Sequence, residues 1–331
     1  MKIPVRMAFV LAGVGMLIGT ALAQGPLLLV ANQADHTLRL IDPAAGKEIA
    51  AVPVEGVTGH EVAASPDGRF AYVPIYGSGG VGSPGTDGSS MAVIDLAARK
   101  VVSTVDFGHG VRPHMPLYEP VSGMLYVTTE LDKAITIIDP KTLKIVGQIP
   151  TGQEQTHMLA ISHDGKRGYT ANVGPGTISV LDIPARKTLA VIPISRNIQR
   201  ISISRDDKLV FTADQAKPQM AVIDTATNTV KTWIPLPSVG YGSTPTLDGK
   251  YLLVAMPRTK QVAVIDLQTL AVTTTIDIPG GQGEILMRPD GKVAYVSSYP
   301  GHQVAEIDLA TWKVTRLIDA GNKADGLAWV K

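Results

Sequence analysis

The sequence predicts an all-β fold, namely a seven-bladed β-propeller of four-stranded blades. A short apolar strand that ends in Asp recurs seven times, consecutive copies are 42 to 53 residues apart, and the two ends of the chain complement each other. A blade of four short strands takes about 40–50 residues, so each copy marks one blade. The copies read LRLID, MAVID, ITIID, ISVLD, MAVID, VAVID and VAEID and end at Asp42, Asp95, Asp139, Asp182, Asp224, Asp266 and Asp308.

Each blade is expected to contain four strands in the same order. The innermost strand ends in a turn such as SPDG over 65–68 or SHDG over 162–165, and Asp-Gly favours a tight hairpin because Gly tolerates a positive φ. The second strand is of the YVT type, as over 126–128, and a variable loop separates it from the strand that ends in Asp. A strand such as 142–149 is outermost. Helical periodicity is weak after residue 24, which favours sheet throughout.

The two ends of the chain are predicted to share one blade. The propeller sequence begins with a strand of the second type over 27–32, so this blade lacks its innermost strand. The chain finishes with a strand of the innermost type over 325–330, and no further blade follows it. Pairing these two strands would close the ring and remove two open sheet edges, which a toroidal fold requires.

The N-terminus has the pattern of an export signal. Two basic residues precede an uncharged run over 7–22, and the small-residue pattern Ala-Leu-Ala ends at Ala23. A run of 16 residues is shorter than the roughly 20 that a membrane-spanning helix needs. We therefore expect a signal peptide over 1–23, cleaved after Ala23, and a single propeller domain over 24–331. The mature protein would be periplasmic or secreted, with no stable membrane insertion.

Composition excludes several classes of chemistry. The chain has no cysteine, which excludes disulfides, thiolate metal sites, cysteine nucleophiles and covalent c-type haem attachment. Loss of Lys2 and Arg6 with the signal peptide leaves 28 basic and 29 acidic side chains. This balance predicts no nucleic-acid partner, because nothing in it favours polyanions. The mature protein is expected to be monomeric.

Three long motifs resemble a known family. The segments YVTTELDKAITIID over 126–139, YTANVGPGTISVLD over 169–182 and YVSSYPGHQVAEID over 295–308 resemble the YVTN-type repeat of the YncE-like extracytoplasmic propellers. Similar repeats build the heavy chain of quinoprotein amine dehydrogenases, the haem d1 domain of nitrite reductase and some lactonases. The resemblance implies the propeller fold, but sharing this scaffold does not confer the chemistry of those proteins.

Aligning the blades on the SPDG-type turns predicts which residues surround the mouth of the central channel. One position at the start of each innermost strand carries His60, His114 and His157 in three successive blades, if EPVSG contains a one-residue insertion. Gly283 stands at this position in another blade. The residues predicted to form the ligand-binding channel mouth are His60, Glu61, Arg112, His114, His157, Gln199, Arg200, Tyr241, Glu284 and Asp325.

The three histidines leave three interpretations open. Three neutral imidazoles around an open position form a catalytic zinc arrangement, and copper or iron accept the same ligands. The predicted metal ligands are therefore His60, His114 and His157, with Zn, Cu or Fe as the possible cofactor. Alternatively, the polar mouth holds ordered water, or it binds a small molecule or a protein partner directly.

The longest blade contains an inserted loop over 77–90, which reads GSGGVGSPGTDGSS. Long Gly/Ser-rich loops in compact domains are often functional lids, although an inert insertion is equally consistent with the sequence. The loop lacks the GK[ST] ending and the following helix of a phosphate-binding loop, so that interpretation is rejected.

Three functions remain open at this point. No GxSxG or HExxH motif is present, which favours a module that binds a ligand, metal or partner at the channel mouth. The second is a metal-assisted, lactonase-like hydrolase or lyase, in which Glu61 or Glu284 acts as general acid or base. The alternative role for these carboxylates is a salt link with Arg112 or Arg200. The third is a redox-associated subunit resembling the quinoprotein or haem d1 propellers.

Overall fold

The computed structural model describes residues 25–56, 60–280, 283–298 and 301–331, and within these ranges it contains β-strands and no α-helix. The expected signal peptide over 1–23 lies outside the described residues. None of the described segments forms a helix that is long and apolar enough to cross a membrane. The all-β prediction is confirmed.

The strands form seven antiparallel sheets of four strands, each one blade of the predicted propeller. Six blades contain four consecutive strands, in the order in which the sequence motifs occur, and the first blade combines β28 with β1, β2 and β3. The strands are β1 Leu27–Asn32, β2 Thr37–Asp42, β3 Lys47–Pro53, β4 Ala63–Ala64, β5 Phe70–Ile75, β6 Ser90–Asp95, β7 Lys100–Asp106, β8 Pro113–Glu119, β9 Met124–Thr129, β10 Ala134–Asp139, β11 Lys144–Pro150, β12 Thr156–Ile161, β13 Arg167–Asn172, β14 Thr177–Asp182, β15 Lys187–Pro193, β16 Ser202–Ile203, β17 Leu209–Asp214, β18 Gln219–Asp224, β19 Thr229–Pro235, β20 Ser243–Pro245, β21 Tyr251–Met256, β22 Gln261–Asp266, β23 Ala271–Asp277, β24 Ile285–Met287, β25 Val293–Ser297, β26 Gln303–Asp308, β27 Lys313–Asp319 and β28 Ala324–Val330.

The ring closes as the chain ends predict. Strand β28 pairs antiparallel with β1, with Leu27 opposite Val330 and Leu29 opposite Ala328. This pairing gives the first blade its innermost strand and removes the two open edges at once. The prediction that the C-terminal strand completes the N-terminal blade is therefore confirmed.

The recurring Asp has a local structural role. The Asp139 carboxylate accepts a hydrogen bond from the backbone N–H of Lys141 at 2.8 Å, and Asp266 accepts from Gln268 and Thr269 at 2.8 and 2.9 Å. Such Asx turns reverse the chain directly after the third strand. The side chain therefore replaces backbone partners at the turn, which explains why Asp ends this strand in every blade.

Burial distinguishes the strands of a blade. In the second and third strands most residues are buried on both faces, as in β9 and β10, whereas the outermost β11 is mostly exposed. The aromatic residue of the YVT motif packs between neighbouring blades, and Tyr169 and Tyr295 are essentially inaccessible. The apolar core therefore lies between the sheets, and the innermost strands place their side chains around the central channel.

Candidate functional site

The structure brings the three predicted histidines into contact. His60 directly precedes β4, whereas His114 and His157 lie in β8 and β12. The ring centroids of His60 and His114 are 4.8 Å apart, and those of His114 and His157 are 3.9 Å apart. His114 and His157 are buried, and 23% of the His60 side chain is exposed. We call these three residues the histidine cluster.

Hydrogen bonds determine the tautomers within the cluster. His157 Nδ1 lies 3.0 Å from the Gln199 carbonyl oxygen, so it carries the proton and donates. His157 Nε2 is then an acceptor, and His114 Nε2–H donates to it at 3.0 Å. His114 Nδ1 is left as a buried acceptor that has no hydrogen-bond partner within the described part of the chain.

Burial keeps both inner histidines neutral. Removal from water lowers the pKa of His157 to about 3. Burial likewise lowers the pKa of His114 far below its usual value, and the neighbouring His157 and His60 add to this effect. Neutral imidazole is the form that offers a lone pair to a metal ion or to a hydrogen-bond donor.

A charged layer of four side chains lies beside the histidine cluster: Arg200, Glu61 and Asp325 are buried, and Glu284 is half-buried. Arg200 Nη2 is 2.6 Å from Glu61 Oε1 and 3.4 Å from Asp325 Oδ1. Glu284 Oε2 accepts the backbone N–H of Leu327 at 2.5 Å. The predicted salt link of Glu61 therefore forms with Arg200, whose position in the chain is 139 residues away.

The carboxyl groups of the charged layer differ in pKa. Burial raises the pKa of Glu61 well above its usual value, although Arg200 opposes this, and burial also raises the pKa of Glu284. The side chains of Glu61 and Glu284 are hydrogen-bonded to each other, which requires a proton on one of the two carboxyl groups. For Asp325, burial is outweighed by His60 and Arg200, and its pKa is lowered. Asp325 is therefore the ionised partner of Arg200.

Gln33 connects the two groups, and the sequence did not single it out. Its Nε2 lies 2.5 Å from His60 Nδ1 and 2.7 Å from Asp325 Oδ2. His60 Nδ1 is itself 3.2 Å from Asp325 Oδ2. The loop after β1 therefore positions the one partly exposed histidine of the cluster. Its counterpart loops in other blades are also at the channel face, which is the signal that could have found it.

Arg112 does not join the charged layer. Its buried guanidinium lies beneath the 77–90 loop, where Nε contacts Asp87 Oδ1 at 2.6 Å and Nη1 donates to the Ser83 carbonyl at 2.9 Å. Glu130 binds the same loop by accepting the Gly82 N–H at 3.2 Å. Side chains of the neighbouring blade therefore hold this loop in place beside the mouth.

Tyr76 links that loop to the histidine cluster, and it too was missed by sequence reasoning. The Tyr76 hydroxyl donates to Glu130, and its ring makes edge contacts with His60 and His114 at centroid distances of 5.3 Å each. Tyr76 directly follows β5 and precedes the insertion. Its position between a strand of the repeated second type and the long loop was the signal that could have found it.

Replacing Tyr76 by Phe is expected to lower the free energy of unfolding by about 1–3 kcal/mol, since buried Glu130 loses a hydrogen bond. The 77–90 loop should become more sensitive to limited proteolysis, and thermal unfolding measures the stability change. Tyr251→Phe is the control, because that ring packs on Trp312 far from the loop. Equal proteolysis of both variants would contradict the anchoring role.

Gln199 and Tyr241 lie on another side of the mouth. The Tyr241 ring is 5.1 Å from the guanidinium carbon of Arg200, a cation–π arrangement. Both residues line an open recess of about 340 Å³ together with Gln215, Val239, Gly240, Pro257 and Arg258. The structure thus places all the predicted mouth residues except Arg112 around the histidine cluster and the charged layer.

The present arrangement of the cluster is one of hydrogen bonds. Within residues 25–56, 60–280, 283–298 and 301–331, no group of three or more His, Asp or Glu side chains is arranged to hold a metal ion. His60 Nδ1 is engaged by Gln33 and Asp325. A metal ion held by all three histidines would have to replace the bond between His114 Nε2 and His157 Nε2, so the three-histidine metal site stays a prediction.

Comparison with known proteins gives family and fold. A family model described as lactonase, 7-bladed β-propeller, matches residues 23–233, and one described as YNCE-like β-propeller matches residues 244–331. A search of curated proteins finds no match.

Two solved structures share the fold. Hydrazine synthase from Kuenenia stuttgartiensis is 21% identical, with a TM-score of 0.74 over 89% of this chain and 99% of that one. Dihydro-heme d1 dehydrogenase NirN, in complex with DHE, is 16% identical, with a TM-score of 0.67 over 91% of this chain and 74% of that one. At these identities the likeness concerns fold alone. By its family matches, the chain belongs to the lactonase-type family of seven-bladed β-propellers, and its C-terminal part is YncE-like.

Proposed function

We propose that this protein is an exported, monomeric binding module that holds a small ligand or a metal ion at the histidine cluster. One observation carries the proposal, namely the buried His114 Nδ1 lone pair that has no partner among the described residues. Buried polar groups are normally paired, so such an acceptor favours a ligand that supplies a hydrogen-bond donor or a vacant metal orbital. The His60 ring, 4.8 Å from the His114 ring between centroids, is the partly exposed member of the cluster.

Titration of the untagged protein with Zn²⁺ and Cu²⁺ by calorimetry tests the metal form of the proposal. We expect one ion per chain and an affinity about tenfold weaker in His114→Phe, which is about 1.4 kcal/mol. His163→Ala is the matched control, because His163 contacts Asp207 in a turn on the other face.

If neither ion binds, a panel of small amines and amides, followed by the ring ¹⁵N shifts of His114, tests the donor form. The Nδ1 resonance should move in the wild type, and the His163→Ala variant should respond in the same way. Absence of any shift together with absence of metal binding would overturn the proposal.

A second candidate function is lactone hydrolysis, and the observation that favours it is the family match over residues 23–233. Glu61, whose pKa is raised by burial, would be the general acid, although its side chain is only 4% exposed and accepts a hydrogen bond from Arg200. Turnover of a lactone panel, with and without chelator, compares the wild type with Glu61→Gln and Glu284→Gln. Activity that survives both substitutions would exclude these carboxylates. The redox-associated role rests on fold likeness, and a colourless purified protein would contradict bound haem.

Export is part of the proposal and has its own test. The uncharged run and the Ala23 pattern support cleavage of a signal peptide. Intact mass of the protein recovered from the periplasm or medium should correspond to a chain that starts at Gln24. Recovery of the uncleaved chain from the cytoplasm alone would contradict export, and size-exclusion chromatography tests the monomer.

A further inference from the structure

The central channel contains an apolar cavity on the far side of the charged layer. The cavity has a volume of about 380 Å³, and residues of the innermost strands β8, β12, β16, β20 and β24 line it. We call it the channel cavity. Its main apolar lining residues are Met115, Leu117, Met158, Ala160, Ile203 and Leu286. This volume falls within the range of about 300–1,000 Å³ that small-molecule sites occupy.

The hydroxyl groups of Ser202, Ser243 and Thr244 in the wall of the channel cavity are already paired. The hydroxyls of Ser202 and Ser243 lie 2.7 Å apart, and Thr244 Oγ1 donates to the Ile285 carbonyl at 2.6 Å. Water in a cavity needs two to four polar partners per molecule. The walls consist mainly of thioether and alkyl groups, and their hydroxyl groups are already hydrogen-bonded, so they offer water few partners. The channel cavity therefore favours an apolar occupant over ordered water.

One polar group at the inner end remains unpaired. Arg200 Nε is buried and has no hydrogen-bond partner in the described ranges, although Nη2 of the same side chain binds Glu61. Both Arg200 and Gly242 line the cavity, and a Cβ atom on Gly242 would lie 3.3 Å from Arg200 Cδ. The arginine stem therefore passes along the cavity wall, and its Nε–H is a donor at the inner end.

The charge around this donor selects against an anion. Asp325 and Glu61 already face the guanidinium, and Glu284 lines the same end of the cavity. A carboxylate or sulfonate entering there would meet carboxyl groups in a site of low polarity. A neutral acceptor, such as a ketone or ester carbonyl, would satisfy Arg200 Nε without adding charge.

The outer end of the cavity opens on the face opposite the histidine cluster. Its rim includes His163, Arg205 and Leu247, which belong to the turns that follow the innermost strands. Leu247 is 37% exposed. His163 Nδ1 lies 2.6 Å from Asp207 Oδ1, and His163 Nε2 lies 2.7 Å from Arg205 Nη1. An entering molecule would therefore pass an ordered rim without crossing the charged layer.

We propose that the channel cavity is a second binding site, entered from the face opposite the histidine cluster. It takes a neutral, elongated, apolar small molecule that carries a hydrogen-bond acceptor at its leading end. The thioethers of Met115 and Met158 adapt to the shape of the apolar body, and Arg200 Nε binds the acceptor. This site is separate from the histidine cluster, since the charged layer lies between them.

Fluorescence titration with Nile red, a neutral dye with one carbonyl group, tests the site in the full-length protein. We expect saturable binding of one dye per chain, displaced by 2-decanone at concentrations about fivefold lower than by decane. Ala160→Phe fills the cavity, and Met158→Gln makes its wall polar. Each should weaken dye binding about tenfold while the circular dichroism spectrum stays that of the wild type.

One further variant locates the dye. His114→Phe changes the histidine cluster and should leave Nile red binding unchanged, so failure of the proposed function and failure of this site are distinguishable. Dye binding that is unaffected by both Ala160→Phe and Met158→Gln, or that is lost in His114→Phe, would overturn the proposal. Equal displacement by decane and 2-decanone would overturn the role of Arg200 Nε.

Discussion

Replacing Arg200 by Met is expected to lower the free energy of unfolding by about 3–5 kcal/mol, the range found when one partner of a buried ion pair is removed. The guanidinium faces Glu61 and Asp325, and all three side chains are at most 5% exposed. Without it, ionised Asp325 remains buried beside two further carboxyl groups. Chemical denaturation at pH 7 measures the difference between wild type and variant.

The pH dependence separates a charge effect from a simple packing defect. Asp325 has a lowered pKa in the folded wild type, so its contribution is present above the unfolded pKa and is lost as pH falls through the folded value. In Arg200→Met the same carboxyls bind protons more readily when folded. The difference in the free energy of unfolding between the wild type and Arg200→Met should therefore decrease as pH falls from 7 towards 4.

Two controls sharpen this experiment. Arg167→Met removes an exposed partner of Asp182 at 3.5 Å and should change stability little. Glu61→Gln should cost much less than Arg200→Met, since burial favours the neutral form of Glu61 and the Gln amide oxygen still accepts a hydrogen bond from Arg200. If the loss of unfolding free energy in Arg200→Met were independent of pH, or as small as that of Arg167→Met, the positive charge of Arg200 would not stabilise the charged layer.

Gly326→Ala is expected to destabilise the protein by about 1–3 kcal/mol, as overpacking does. A Cβ atom at Gly326 would lie 2.4 Å from the His60 carbonyl oxygen and 2.5 Å from Glu61 Cα. Both are backbone atoms, so the clash cannot be relieved by a rotamer change. Strand β28 would have to move away from the residues that precede β4, and Asp325 would move with it.

The comparison variant is Gly25→Ala, where no atom of the described residues lies within 4 Å of the added Cβ. Thermal unfolding should show a lowered midpoint for Gly326→Ala and an unchanged one for Gly25→Ala. We also expect the effects of Gly326→Ala and Arg200→Met to be non-additive, because both disturb the contact of Asp325 with Arg200. If the two stability changes were additive, the strain caused by Gly326→Ala would not act through the contact between Asp325 and Arg200.

The predicted mouth residues that lie around the histidine cluster and the charged layer come from two adjacent positions at the start of the innermost strands. The first position carries His60, His114, His157, Gln199, Tyr241 and Asp325, the second carries Glu61, Arg200 and Glu284, and the blade repeat alone places such positions around one axis. Arg112 was assigned to the same mouth, but its guanidinium turns outward to Asp87 because the inserted loop offers it acceptors. The repeat carries no information about an insertion that occurs in one blade.

The sequence by itself determined the propeller, the number of its blades and the closure of the ring, because strand alternation, Asp turns and hairpin signals act between residues close in the chain. Tertiary structure alone decided that the histidine rings touch, that Glu61 pairs with Arg200 and not with Arg112, and that Gln33 and Tyr76 contact the cluster. Those contacts depend on the channel radius and on side-chain rotamers. Both arise only when all seven blades pack around the axis.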